Sequence, residues 1–141
     1  MTAMRGAAAY GRGAGAYAKV GVESGVMSAS PHQLIVMLFD GALASIRKAR
    51  IHLQDGNRSE KGKAISKALE IVTNGLQAAL DAERGGEIAE RLDMLYDYIG
   101  RQLLAANRHD DVERLDEAER LLSDIASAWR EIAPQAQATG G

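Results

Sequence analysis

Three histidines, one capping serine and a run of carboxylates are the side chains that could do chemistry here, and their spacing argues against it. A metal site in a helical bundle needs a carboxylate three residues before an inward histidine. Alanine stands at that distance before His32, His52 and His109 alike. His109 precedes Glu113 by four residues, but across a turn and a helix start, where a solvated histidine is the reading. His32 in a first helical turn and His52 near a helix end are read as surface residues. Asp81, Glu83, Glu87 and Glu90 cluster about a turn and a helix start, where carboxylates complement the helix dipole. Gly11, Gly13 and Ala16 loosely match a dinucleotide loop, but no strand precedes them. With no cysteine in the chain, disulfides, thiolate nucleophiles and Cys-ligated zinc are excluded. No catalytic residue, metal or cofactor is assigned, and the chain is read as no enzyme.

Composition narrows the alternatives. A chain of 141 residues, 46% apolar and 26% charged, suits one domain with a modest core. Of 17 basic and 19 acidic residues, Arg5, Arg12, Lys19 and Glu23 lie in the first 29, which leaves the remainder acidic by four charges. No basic patch with stacking aromatics is present, so nucleic acid is not expected as a partner. The longest run of large apolar residues, LIVMLF at 34–39, is far too short to span a bilayer, and the N-terminus lacks the apolar core of a secretory signal. The expectation is a soluble, cytoplasmic protein without membrane insertion.

With catalysis set aside, the elements become the question. Residues 1–29, rich in glycine and alanine, cannot bury enough surface to offset chain entropy and are expected to form a flexible arm. Residues 30–133 carry four helical patterns, and 134–141, beginning at Pro134, are expected to be a disordered tail. Ser30 as N-cap, Pro31 at the first helical position and Gln33 in the capping-box place open the first helix. Leu34, Leu38, Ala42, Ile46, Ala49 and Leu53 then recur at three or four residues. Asp55, Gly56 and Asn57 break it. A second helix begins near Ser59 with Ile65, Leu69, Val72, Leu76 and Ala79 in register, and Gly85 and Gly86 are expected to end it. The third carries Ile88, Leu92, Leu95, Ile99, Leu103 and Ala106. Asp110 with Glu113 offers the next cap, and Val112, Leu115, Ala118, Leu122, Ile125, Trp129 and Ile132 line the fourth. Four such helices on short turns predict an all-α fold, an antiparallel up-down four-helix bundle with a flexible N-terminal arm.

One apolar stripe per helix satisfies a bundle, so the surplus is informative. The second helix has a further series of mostly small residues: Ala64, Ala68, Ile71, Gly75, Ala78 and Ala82. The first adds Ile35, Phe39 and Leu43. The third sends Met94 and Tyr98 off one flank and Tyr96, Gly100 and Leu104 off the other, because residues two apart point to different faces. One tyrosine is expected to serve the bundle and the other a second apolar site. Interior Gly41, Gly75 and Gly100 each disfavour helix by about 1 kcal/mol relative to alanine; either a close-approaching helix or plain bundle packing would account for them. In the arm, Tyr17, Val20, Val22, Val26 and Met27 form a small apolar cluster, either a fold-back segment or a staple for the first helix.

Taken together, AYAKVGVESGVMSASPHQLIVMLFDGAL, KGKAISKALEIVTNGLQAALD, GGEIA, LYDYIGRQLLAAN and the late Ala128–Trp129 pair resemble the FliS family of flagellin export chaperones, nearly continuously from Ala16 to Ile132. Phe39 stands where tyrosine is common, and the arm is unusually glycine-rich. The resemblance implies a four-helix bundle that binds the disordered C-terminal segment of flagellin in the cytosol, prevents premature polymerisation and aids delivery to the cytoplasmic domain of the flagellar type III export gate. It also implies that the N-terminal segment covers the groove until flagellin displaces it, which makes Tyr17, Val20 and Val22 candidate cap residues. Ile35, Phe39, Ile71, Gly75, Ala78, Tyr96 and Tyr98 are the residues expected to line apolar partner-binding grooves. A generic helical adaptor for another amphipathic segment is the rival reading, and the flagellin-free protein is allowed to form homo-oligomers.

Overall fold

The computed structural model describes residues 29–140, with side chains described as far as residue 132. Its order is α1 (Pro31–Gln54), α2 (Arg58–Glu70) continued by a π-helical segment (Ile71–Gln77), α3 (Ala82–His109) and α4 (Val112–Gly140). Helix α1 packs on α2 and α4, while α3 packs on α4 and on α2 with its π continuation. Each helix therefore lies beside its two chain neighbours, and the bundle closes through α1 and α4. Tyr17, Val20 and Val22 lie outside the described residues.

The start of α1 matches its sequence signal. Ser30 Oγ accepts from the Gln33 amide at 3.1 Å, and the Ser30 amide donates to Gln33 Oε1 at 2.9 Å. Both groups would otherwise be orphaned at a helix start. Gly56, at φ +75°, makes the turn after α1, and Asn57 caps α2 by accepting from the Glu60 amide at 3.2 Å.

Three boundaries differ from the sequence expectation. The turn after the second helix falls at residues 78–81, not at the two glycines. Asp81 caps α3 by accepting from the Arg84 amide at 3.2 Å, and Gly86, at φ 54° and ψ −127°, becomes a kink one turn inside it. Asp110 is the left-handed C-cap of α3, not the N-cap of α4. Lys61 Nζ and Arg58 hold its carboxylate and keep its pKa below the usual range, whereas Asp111 Oδ1 accepts from the Glu113 amide at 3.1 Å. Finally, the backbone of α4 stays helical through Pro134 to Gly140, where a tail was expected.

The core follows the primary stripes. Ile46, Val72, Leu76, Ile99, Leu103, Leu115 and Leu122 are fully buried at the centre. Trp129 joins them near the end of the described side chains and meets the start of α1. There its Nε1 donates to the His32 carbonyl at 3.3 Å, His32 Nε2 reaches the Trp129 carbonyl at 3.2 Å, and the rings stack at 4.3 Å. A carbonyl only accepts, so Nε2 carries the proton. His32 is thus a structural clasp rather than a loose surface residue, and burial lowers its pKa from 6.5 against the opposing pull of that carbonyl.

Candidate functional site

Helix α2 is flanked by two grooves. The larger, about 470 Å3, runs between α2 with its π segment and α3. Ser66, Leu69 and Glu70 of α2 and Thr73, Asn74 and Gln77 of the π segment face Tyr96, Asp97, Gly100, Arg101 and Leu104 of α3. The π segment is local: i→i+5 bonding widens the helix by one residue per turn, and such bulges recur at functional sites. Here it carries Thr73, Asn74 and Gln77 along the groove wall.

The groove has an apolar floor and a polar rim. Gly100 is buried, and a Cβ placed on it would meet Leu69 Cδ1 at 3.4 Å, so the absent side chain deepens the floor. Leu104 lies 52% exposed at one end of it. At the rim, Gln77 Nε2 donates to Asp93 Oδ1 at 2.9 Å and Asp97 Oδ1 at 2.8 Å. That amide ties the π segment to α3 and holds two carboxylates at the mouth. An amphipathic helix with apolar anchors one turn apart fits such a trough.

The other flank of α3 is chemically different. Tyr98 donates to Glu117 Oε1 at 2.7 Å, Gln102 Nε2 bonds both Tyr98 Oη at 3.1 Å and Glu117 Oε2 at 2.5 Å, and Arg114 Nη1 donates to Gln102 Oε1 at 2.7 Å. The Glu117 carboxylate raises the Tyr98 pKa, and the Tyr98 hydroxyl lowers that of Glu117. This is a hydrogen-bonded bridge to α4. Met94, Leu95 and Tyr98 are exposed beside it.

The residues singled out in the sequence fall into four places. Tyr96 is buried at 1% and lines the large groove, with Gly100 and Leu104 from the same flank. Tyr98 lies on the opposite flank, in the polar bridge. The two tyrosines do divide, but the tyrosine serving the core is also the one at the groove. Ile35 and Phe39 are buried at 0% and 1% inside the core. Ile71 is half-buried, its Cδ1 3.4 Å from where a Cβ on Gly41 would lie, so Gly41 eases packing of α1 against α2. Gly75 is buried inside the π segment, and Ala78, which caps it, is exposed. Leu69, Thr73, Gln77, Asp97 and Arg101 were not singled out. Leu69 sat in the primary stripe, and the polar ones carry no periodic signal.

Among the described residues, no group of three or more His, Cys, Asp or Glu is placed to hold a metal ion, and no helix is long and apolar enough to cross a membrane.

Residues 13–136 match the family described as "Flagellar protein FliS". The "Flagellar secretion chaperone FliS" of Salmonella typhimurium is 57% identical over 121 residues, covering 86% of this chain and 90% of that protein. The protein of the same name in Escherichia coli is 48% identical, covering 85% of the chain and 88% of the relative. In Vibrio cholerae the namesake is 39% identical with the same coverage on both sides.

Proposed function

The chain belongs to the FliS family of flagellar proteins, whose relatives support an export-chaperone role, and we propose that it performs that role by binding the disordered C-terminal segment of flagellin. The observation that carries this reading is 57% identity over nearly the whole of a relative named a flagellar secretion chaperone. The groove between α2 and α3 supplies a physical means. A segment too polar to fold alone orders as an amphipathic helix when its apolar side chains enter the trough over Tyr96, Leu69, Gly100 and Leu104. Ile71, turned toward Gly41 of α1, and Gly75 and Ala78 lie beyond the lining of this trough, Tyr98 meets the segment only where the segment passes over the outer flank of α3, and Ile35 and Phe39 back the surface from the core.

Sequestering that segment in the cytoplasm removes it from flagellin polymerisation and leaves a soluble complex for the cytoplasmic domain of the export gate. Tyr17, Val20 and Val22 act as a cap that occupies the groove until flagellin arrives. In the absence of flagellin the same apolar surface permits self-association.

Isothermal titration of the full chain with a peptide covering the end of its own organism's flagellin tests this. Saturable binding near one to one with a negative heat-capacity change is expected. Tighter binding after removal of residues 1–23 supports the cap, and unchanged binding rejects the cap alone. No binding by the folded chain overturns the chaperone reading in favour of a generic helical adaptor.

A further inference from the structure

The side of α2 turned toward α1 carries a second groove, of about 400 Å3. Its lining includes Gly41, Ala44, Ser45 and Ala64, so no side chain larger than serine is contributed apart from its charged residues, which are Lys48, Glu60, Lys63 and Lys67. Lys63 and Glu60 pair at 3.2 Å along α2. Among the described residues Lys48 and Lys67 have no carboxylate within salt-bridge distance. Two exposed ammonium groups thus face each other across a small-residue trough, on a helical body whose net charge, these lysines included, is acidic by four. Lysine clustering of this kind runs against the composition, and a concave site focuses its field.

We propose that this groove docks an acidic helical segment of a protein partner. Carboxylates spaced one turn apart on that segment reach Lys48 on one wall and Lys67 on the other, with Lys63 a turn away from Lys67. Small residues of the segment lie against Ala44 and Ala64, where the floor allows close backbone approach. The chemistry favours a peptide over a nucleic acid. The groove has no aromatic side chain to stack a base, and Glu60 places a carboxylate where a phosphate chain would run. Because this groove and the α2–α3 trough lie on different sides of α2, both are open to occupants at once. The acidic-segment site stands independently of what the larger groove binds.

The probe is a fluorescein-labelled helical peptide of about 18 residues, long enough to hold helix, with glutamates at i, i+4 spacing on one face and alanines between. Anisotropy titration with the full chain is expected to show saturable binding that weakens as salt rises. Lys48→Glu with Lys67→Glu is expected to weaken it at least about tenfold, while Arg91→Glu with Arg108→Glu, the same charge change elsewhere on the surface, leaves it within about twofold. Ala44→Leu keeps every charge but fills the floor, and it too is expected to weaken binding, with circular dichroism unchanged. Equal binding by the Lys48/Lys67 variant, or full binding by Ala44→Leu, overturns the proposal. So does a single-stranded oligonucleotide of equal charge that binds more tightly than the peptide, which would make this a general polyanion surface.

Discussion

The two sides of α2 differ in what lies at the bottom. Toward α3 the floor is Tyr96, Leu69 and Gly100, with Leu104 open to solvent and polar amides above. Toward α1 the floor is alanine, serine and glycine beneath lysines. One helix thus borders a trough with an apolar floor and another with a small-residue floor beneath lysines. The lesson is that small residues by themselves do not make an apolar docking face. Ala68, read in the sequence as part of a smooth second face, is buried by close packing within the bundle.

The contrast can be attacked in order of expected effect. Tyr96 is both wall and core, so Tyr96→Ala should lower stability by about 3–5 kcal/mol in chemical denaturation, as for other buried aromatics. A much smaller loss would mean that this flank is not continuous with the core. Next, Gly100→Leu places a side chain in the larger trough and should weaken flagellin-peptide binding at least about tenfold, or ~1.4 kcal/mol, while Ala44→Leu leaves it unchanged. Equal effects from both would erase the distinction between the two sides. Gly100→Ala, by contrast, brings a methyl only to ordinary contact with Leu69 and should raise helix stability by up to about 1 kcal/mol, read as an upward shift in Tm.

Smaller effects follow. Tyr98→Phe removes the donor to Glu117 but leaves both grooves intact, so peptide binding should persist, and the raised phenol pKa should vanish from an ultraviolet titration. Least is the pH response of His32. Its folded pKa lies below 6.5, so the unfolded chain takes up the proton first. The clasp's contribution is fully present above pH 6.5 and is lost as pH falls from there toward the folded value. In His32→Phe, which keeps the stack, the dependence of Tm on pH below 6.5 should flatten.

Much of this was legible. The Ser30–Pro31–Gln33 box, the Asp55–Asn57 turn and the four primary stripes predict the bundle because capping and periodic burial are local rules. The trough was half legible: Gly100, Leu104 and Tyr96 stood out as surplus on one flank, but whether Tyr96 or Tyr98 faced the core depends on how α3 is rotated against α4. The π segment left no trace, since its residues keep an α-like apolar spacing. Two glycines in a row mimicked a helix stop, although only Gly86 adopts positive φ, and Asp81 had already begun the next helix. The His32–Trp129 clasp joins residues 97 positions apart, a distance over which no pattern of spacing speaks.

That clasp also fixes the wiring of the molecule. It brings the opening turn of α1 and the late part of α4 to one end of the bundle, so the path of the chain from Ser30 to Trp129 is nearly a closed loop. Bundles wired this way tolerate being cut elsewhere. A permuted chain opened at the exposed Gly56 turn, with a short flexible linker joining residue 132 to residue 30, would keep the four-helix core in place, α4 ending at residue 132, and carry its new ends at the α1–α2 corner.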